Sequence, residues 1–185
     1  MRTLTAFGLG CEVLLLAAAP VQMLAASDFL TAEAAQRAAF PQAERFEPVT
    51  LSLSDAQQKQ IAAAAGVQAP HGRLQIWRAW QGTQPLGYYF VDEVLGRQDF
   101  ITYGMPIDAA GQLGTLEILS YRESHGGEVR NAAWRRQFAG RSRLENLRVS
   151  SDIRNIAGAT LSCEHLTQAV RRLLALWQAA LAATP

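Results

Sequence analysis

Cysteine and lysine are both scarce in this sequence. The 185 residues contain two cysteines, Cys11 and Cys163, and a single lysine, Lys59. A chain with so few thiols is not one of the small secreted scaffolds that disulfides hold together. The formal net charge is +1, whereas nucleic-acid-binding domains usually carry a strong positive excess. The sequence therefore predicts no nucleic-acid partner.

Long apolar runs are also missing, since none approaches the roughly 20 residues that span a bilayer. A short run at residues 13–19 follows Arg2 and precedes small residues near Ala26, which is the pattern of a signal peptide. We expect residues 1–26 to direct export to the periplasm or to the extracytoplasmic face of a membrane. An uncleaved anchor is the alternative. Removal of this segment leaves about 160 residues, which suits one domain.

The few histidines do not form a metal-binding pattern. His71, His125 and His165 are far apart in the sequence and lack the short spacings of zinc sites, so we expect no metal site. Ser124 stands beside His125 and could indicate an esterase-like nucleophile. This hypothesis is disfavoured because adjacent residues of an extended chain point to opposite sides.

Hydrophobic periodicity predicts an α+β fold in a single domain. Two helices are expected over residues 31–40 and 54–65, ended by Pro41 and Gly66. Strand-like runs separated by turn signals follow, and they predict an antiparallel sheet, a meander or half-barrel, flanked by α-helices. These runs cover residues 74–79, 86–94, 100–107 and 113–121. The predicted organisation is a signal peptide over residues 1–26, an N-terminal helical segment over 27–72 and the principal domain over 73–182.

The strongest helix pattern begins near Thr160 to Ser162. Beyond it, apolar residues recur at helical spacing, and polar residues such as Arg171 and Arg172 fall on the opposite face. The first amides of a helix lack intrahelical acceptors and carry partial positive charge, so a phosphate is stabilised there. Gly158 removes a side chain that would keep a ligand from the backbone. The alternative is that Thr160 or Ser162 simply caps the helix.

Charge is unevenly distributed along the chain. Residues 122–172 contain ten arginines and five carboxylates, although the whole chain is nearly neutral. A basic second half suits an anionic ligand or an acidic partner.

The residues at this helix start resemble a known family. Residues 157–162 read Ala-Gly-Ala-Thr-Leu-Ser and are similar to the S/T-G-A-T-x-S/T motif of the FMN-binding domain family, which includes flavin-carrying components of the sodium-pumping NADH:quinone reductase and of a related electron-transport complex. In that family the last Thr of the motif carries FMN through a phosphoester bond that a separate flavin transferase installs. The resemblance assigns this role to Thr160. Ala157 stands where the family usually has Ser or Thr. Arg154 stands where the family usually has Asp.

Further motifs extend the resemblance over roughly residues 74–175. Residues 87–88 and 107–113 are similar to the family's G-Y and I-D-x-x-G-x-I/L signatures. Residues 123–127, Glu-Ser-His-Gly-Gly, resemble its E-T-P-G-L-G loop, and the W-x-x-x-F-x-G motif follows at residues 134–140. Such a loop allows the backbone to approach a flat ring. We expect it to contact the flavin ring at some distance from the helix start; an ordinary turn is the alternative.

The resemblance implies an exported flavoprotein that carries covalent FMN and passes electrons between membrane or periplasmic redox partners, as a carrier and not as a stand-alone enzyme. The principal domain would be the FMN-binding domain. The implied partners are a flavin transferase for maturation and a membrane reductase or cytochrome. The alternative is a periplasmic binding or scaffold module of the same fold without covalent flavin. The implied cofactor-binding residues are Thr160, Gly158, Ala159, Glu123, Ser124 and Ser162.

Overall fold

The computed structural model describes residues 27–28, 30–66 and 71–182. The predicted signal peptide, residues 1–26, lies outside the described residues. Within the described ranges, no helix is both long and apolar enough to cross a membrane.

One antiparallel sheet organises the described residues. Its strands are β1 (Ser27–Asp28), β2 (Arg45–Pro48), β3 (Gln75–Gln81), β4 (Gln84–Leu95), β5 (Phe100–Asp108) and β6 (Glu117–Tyr121). They lie in the order β1-β6-β5-β4-β3-β2, and every neighbouring pair is antiparallel. From β2 to β6, strands adjacent in sequence are also adjacent in space. The predicted α+β class and antiparallel meander are therefore confirmed.

Among the described residues, four α-helices accompany the sheet. They are α1 (Ala32–Ala39), α2 (Asp55–Ala65), α3 (Ala132–Arg135) and α4 (Thr160–Leu176), and α4 continues as a π-helical turn over Trp177–Leu181. The predicted ends of the first two helices are confirmed. Thr31 caps α1, Ser54 and Gln57 form a capping box at α2, and Gly66 ends α2. Short 3₁₀ helices cover Gly127–Arg130, Arg136–Phe138 and Leu144–Asn146.

Alternation along the strands divides the core between the two faces of the sheet. Phe90 and Tyr103 belong to the larger core, which includes the apolar stripe of α4. Tyr89 and Val91 belong to a smaller core with Phe40, at the end of α1. α4 thus covers one face of the sheet, and α1 covers the other.

The apolar stripe predicted for α4 is confirmed. Leu166, Val170, Leu173 and Leu174 are each 0 % exposed. Full burial of a side chain of this size contributes about 1.5–3 kcal/mol, so the stripe fixes α4 firmly on the sheet. The position of its first residue, Thr160, follows from that packing.

The polar face predicted for α4 is partly buried, which periodicity did not indicate. Arg172 pairs with the fully buried Asp92 of β4, with 2.6 Å between Nη2 and Oδ2. The Tyr103 hydroxyl donates to the same oxygen at 2.6 Å. Arg171 donates to the Leu144 carbonyl at 2.6 Å. Periodicity identifies the apolar stripe, but it cannot distinguish an arginine in water from one that reaches a buried acceptor.

The strands differ from prediction mainly in the N-terminal segment and in the fourth predicted strand. β1 was not predicted. β2 was also not predicted, because two of its four residues are charged and three are exposed. It adds a strand from the N-terminal segment to the sheet. The fourth predicted strand, 113–121, begins only at Glu117. Before that point the amide of Leu113 donates to the Arg141 carbonyl, at 2.8 Å. Pairing with β5 is reduced there to a bridge between Leu113 and Ile107 and a bond from the Gly114 amide to the Pro106 carbonyl, at 2.8 Å.

Candidate functional site

The N-terminus of α4 is not capped by a side chain. Ala159 occupies the N-cap position, and the first helical residue is Thr160. The alternative that Thr160 or Ser162 caps the helix is therefore wrong. The amide of Cys163 donates to the Ala159 carbonyl at 2.9 Å, and the helical amides before it have no intrahelical acceptor. These amides and the helix dipole suit an anion.

A glycine turn leads the chain into this helix. Gly158 is exposed and has a φ of +88°, and a Cβ built there would meet no atom within 4 Å. A side chain at this φ would be strained even though it has space. The Ala159 amide donates to the Ile156 carbonyl at 3.0 Å, and Ala159 is 2 % exposed. The backbone before Thr160 is thus open at Gly158 and anchored at Ala159.

The Thr160 hydroxyl is accessible and already oriented. Thr160 is exposed, and its Oγ1 accepts a hydrogen bond from Asn155 Nδ2 at 3.2 Å. Asn155 is itself fixed, because its Oδ1 accepts from the Ile156 amide at 2.9 Å. The threonine oxygen therefore has a donor beside it, and its own proton remains available.

The segment before the turn is supported by α3 and the 3₁₀ helix after it. Trp134 Nε1 donates to the Arg154 carbonyl at 2.7 Å, and Gln137 Oε1 accepts from the Arg154 amide at 2.9 Å. Trp134 is 4 % exposed and packs edge-on against Phe138, with 5.3 Å between ring centroids. The tryptophan and phenylalanine of the W-x-x-x-F motif therefore belong to the core that holds the backbone leading to Thr160.

Loop 123–127 follows β6, and its first residue is fastened to the turn between β4 and β5. Glu123 Oε1 accepts from the amides of Gln98, at 2.6 Å, and Asp99, at 3.0 Å. Glu123, a predicted cofactor-binding residue, thus accepts hydrogen bonds from the turn between β4 and β5. Ser124, the next predicted residue, is exposed.

Ser124 and His125 are hydrogen-bonded to each other, with 2.8 Å between Oγ and Nδ1. The expectation that these side chains point to opposite sides is wrong, because the chain turns after β6 and does not continue as a strand. Both residues are exposed. Within the part of the chain that the structure describes, no carboxylate forms an ion pair with His125. The pair therefore lacks the acid that orients the imidazole in a catalytic triad.

The loop and the start of α4 touch at Gly126. A Cβ built on Gly126 would lie 2.7 Å from Ser162 Oγ, 2.9 Å from the Tyr121 hydroxyl oxygen and 3.6 Å from Ala159 Cα. Real Cβ atoms essentially never come closer than 3.0 Å to such neighbours. The expectation that the loop lies at some distance from the helix start is therefore wrong. Ser162, 5 % exposed, faces this contact.

Part of the basic stretch from Arg135 to Arg143 is structural. Arg135 forms an ion pair with Glu117. Arg141 donates to the carbonyls of three residues, one of which is Asp152, at 2.8 Å. Arg136 is exposed. The charge excess in the second half of the sequence thus overstates the positive charge that is free to meet a ligand.

Cys163 is a packing residue. It is 0 % exposed, and burial raises the pKa of its thiol, although a hydrogen bond from the Ile156 backbone acts in the opposite direction. A buried thiol with a raised pKa is a poor nucleophile. Among the described residues, no group of three or more histidine, cysteine, aspartate or glutamate side chains could hold a metal ion.

The sequence motifs missed three residues that build this site: Tyr121, Gln137 and Asn155. Gln137 and Asn155 are polar residues close to recognised motifs, which is a weak signal. Tyr121 ends a strand and reads as an ordinary apolar position. Their roles depend on contacts between segments distant in sequence, so a pattern within one segment does not reveal them.

Comparison with known proteins gives a family match that contains this site. Residues 96–175 match the family model described as the FMN-binding domain. The match begins in the turn between β4 and β5 and ends within α4, so it includes loop 123–127 and Thr160. No curated protein matches the chain. The resemblance drawn from the motifs is confirmed over residues 96–175.

The contact at Gly126 predicts a large difference between two glycines of similar conformation. Gly126 and Gly140 have φ values of +79° and +78°, but a Cβ on Gly140 would meet no atom within 4 Å. We expect Gly140→Ala to cost about 1–2 kcal/mol from backbone strain alone. Gly126→Ala should cost about 1–3 kcal/mol more because of overpacking. Urea unfolding followed by circular dichroism measures the free energy of unfolding of each variant. Equal losses of stability in the two variants would contradict the contact at Gly126.

Proposed function

This chain carries an FMN-binding domain over residues 96–175, and from that premise we propose that it is an exported flavoprotein with FMN held covalently on Thr160. It passes electrons between redox partners in the periplasm or at the extracytoplasmic face of a membrane. A flavin transferase installs the cofactor, and a membrane reductase or cytochrome exchanges electrons with it. The chain acts as a carrier and not as a stand-alone enzyme.

One observation carries the proposal: an exposed threonine hydroxyl lies at the first residue of a helix that no side chain caps. A phosphate bonded to Thr160 Oγ1 would stand beside amides without intrahelical acceptors and at the positive end of the helix dipole. In an ordinary capped helix, a side-chain oxygen would occupy this position. The residues present therefore fit a phosphoester.

The neighbours of Thr160 have distinct roles in this proposal. Asn155 holds the hydroxyl oxygen from one side, so the reacting atom is oriented before attachment. Formation of the phosphoester would remove the hydroxyl proton and join Thr160 Oγ1 to the phosphorus of the transferase's flavin donor, while the donor's bond from that phosphorus to its leaving group would break. Gly158 leaves space for the ligand beside the backbone. Ala159 is buried and anchors the turn.

The flavin supplies reversible electron uptake and release, while the chain positions it and sets its potential. Loop 123–127 is the segment suited to meet the ring, because it lies against the same helix turn that carries Thr160. Ser124 and His125 are exposed on this loop and can offer polar contacts. The exposure of this end of the molecule leaves a partner access to the cofactor.

A binding or scaffold module without covalent flavin is the second candidate. Ala157 has no hydroxyl where the family motif usually has Ser or Thr, and Arg154 replaces the usual Asp. In the structure both side chains are exposed, where a transferase that reads the motif would meet them. The two candidates differ in whether flavin stays attached to the chain after the protein is unfolded.

We predict that Thr160→Ala abolishes covalent flavin and leaves the fold intact. Because Thr160 is exposed and does not cap α4, its loss should change stability by less than about 0.5 kcal/mol. The protein is expressed with a flavin transferase and examined by fluorescence after denaturing electrophoresis. Wild type should give a fluorescent band and Thr160→Ala a dark one.

Thr115→Ala is the matched control. Thr115 lines a cavity with Ala35 and Ala38 of α1, on the face of the sheet opposite α4, so the variant should keep its fluorescence. A dark wild-type band would reject covalent attachment in favour of the second candidate. A fluorescent Thr160→Ala band would show that another residue carries the flavin.

Export is tested separately. The signal-peptide pattern in residues 1–26 predicts that residues 1–40, fused to a reporter active only outside the cytoplasm, produce active reporter. A fusion with two arginines placed within the apolar run at residues 13–19 is the control and should be inactive. Activity of the natural segment only with a cytoplasmic reporter would contradict export.

A further inference from the structure

A tyrosine outside the recognised motifs joins the two parts of the site. Tyr121 is the last residue of β6 and is 6 % exposed. Its hydroxyl donates to the His125 carbonyl at 2.5 Å, and its oxygen lies 3.5 Å from Ser162 Oγ. Tyr121 therefore contacts both the glycine-rich loop and the first turn of α4.

The directions of these two contacts follow from the atoms involved. A phenol has one proton, and a carbonyl oxygen can only accept, so the Tyr121 proton is directed to His125. In the second contact the Ser162 hydroxyl is then the donor. Burial raises the pKa of the Tyr121 hydroxyl, while a hydrogen bond with Ser162 lowers it. A tyrosine phenol is protonated at neutral pH even without a raised pKa, so it remains a donor to the loop.

The ring that carries this hydroxyl is itself fixed. The backbone of Tyr121 pairs with Ile101 of β5 on one side and Ser27 of β1 on the other. The Arg130 guanidinium lies 5.6 Å from the centre of the ring, within the range of a cation–π interaction. Because the sheet and Arg130 hold Tyr121 in place, its hydroxyl can fix the position of the loop to which it is bonded.

Space for the contact depends on Gly126. The site at which a Cβ would stand lies 2.7 Å from Ser162 Oγ and 2.9 Å from the Tyr121 hydroxyl oxygen. The loop thus approaches the helix closely because it has a glycine there, and the tyrosine hydroxyl fastens it one residue earlier, at His125. Gly126 therefore permits the close approach, and the neighbouring His125 provides the carbonyl to which Tyr121 bonds.

We propose that Tyr121 is a positioning residue of the flavin site, whose hydroxyl holds loop 123–127 at a fixed position relative to the helix turn that begins at Thr160. The proposal rests on the proposed function, which assigns Thr160 to the phosphate and the loop to the ring of one FMN. The spacing between the two segments then sets the surroundings of the ring. Tyr121 acts through the loop and need not touch the flavin.

The test compares Tyr121→Phe with Tyr103→Phe. Each variant removes one buried tyrosine hydroxyl that donates a hydrogen bond, but Tyr103 donates to Asp92 beneath α4, away from the loop. In flavin-free protein, amide hydrogen exchange of residues 124–127 should become about 3- to 10-fold faster in Tyr121→Phe, the factor expected for one lost hydrogen bond. In Tyr103→Phe, exchange of these amides should match wild type.

The second measurement uses protein loaded with flavin. Tyr121→Phe should carry as much flavin per chain as wild type, because Thr160 and Asn155 are unchanged. Its flavin absorption and midpoint potential should differ from those of wild type. Tyr103→Phe should match wild type in both, even though it loses a buried hydrogen bond. A purely structural effect of losing a hydroxyl would therefore appear in stability and not in the flavin.

Two results would overturn the proposal: unchanged exchange at residues 124–127 in Tyr121→Phe, or faster exchange with an unchanged flavin spectrum and potential. The first would show that the hydroxyl does not hold the loop. The second would show that the loop does not set the surroundings of the ring. If wild-type protein takes up no flavin, the proposed function fails, and the exchange measurement alone decides whether Tyr121 fixes the loop.

Discussion

The packing of α4 across the sheet is the constraint on which the site depends. Four fully buried side chains of its apolar stripe fix the helix along its length, and the first turn consequently lies beside the end of β6. Gly126 then permits the loop after β6 to approach Ser162 and Ala159 without a side chain between them. The sheet, the helix and the loop meet at one end of the molecule because of this packing.

Two kinds of electrostatic interaction occur along the same helix. At its start, amides without intrahelical acceptors and an uncapped terminus favour a negative charge from a ligand. Farther along, Arg172 meets the buried carboxylate of Asp92, and loss of one partner would leave an uncompensated charge in the core. The Tyr103 hydroxyl donates a hydrogen bond to one oxygen of that carboxylate. The buried pair joins α4 to the sheet, while the helix start remains available for binding.

Local patterns predicted much of this structure. The caps of α1 and α2, the apolar stripe of α4 and its start at Thr160 follow from residue spacing and capping chemistry, which act within a few residues. β2 escaped prediction because its four residues acquire strand structure only by pairing with β3.

The supporting contacts of the site were beyond local patterns for a related reason. The contacts between Trp134 and Arg154 and between Tyr121 and Ser162 cross 20 and 41 residues, and no periodicity connects such positions. The glycine at 126 was recognised as a loop residue, but its contact with the helix start depends on how β6 and α4 pack. Sequence thus proposed the segments of the candidate site, and tertiary packing determined how they meet.

Peptide mass mapping tests the central claim most directly. Protein produced together with a flavin transferase is digested, and the peptide that contains Thr160 is fragmented. Covalent attachment predicts that this peptide gains the mass of FMN less one water, with the added mass localised to Thr160. An unmodified Thr160 peptide from protein that is yellow before unfolding, or the same added mass on a different residue, would contradict it.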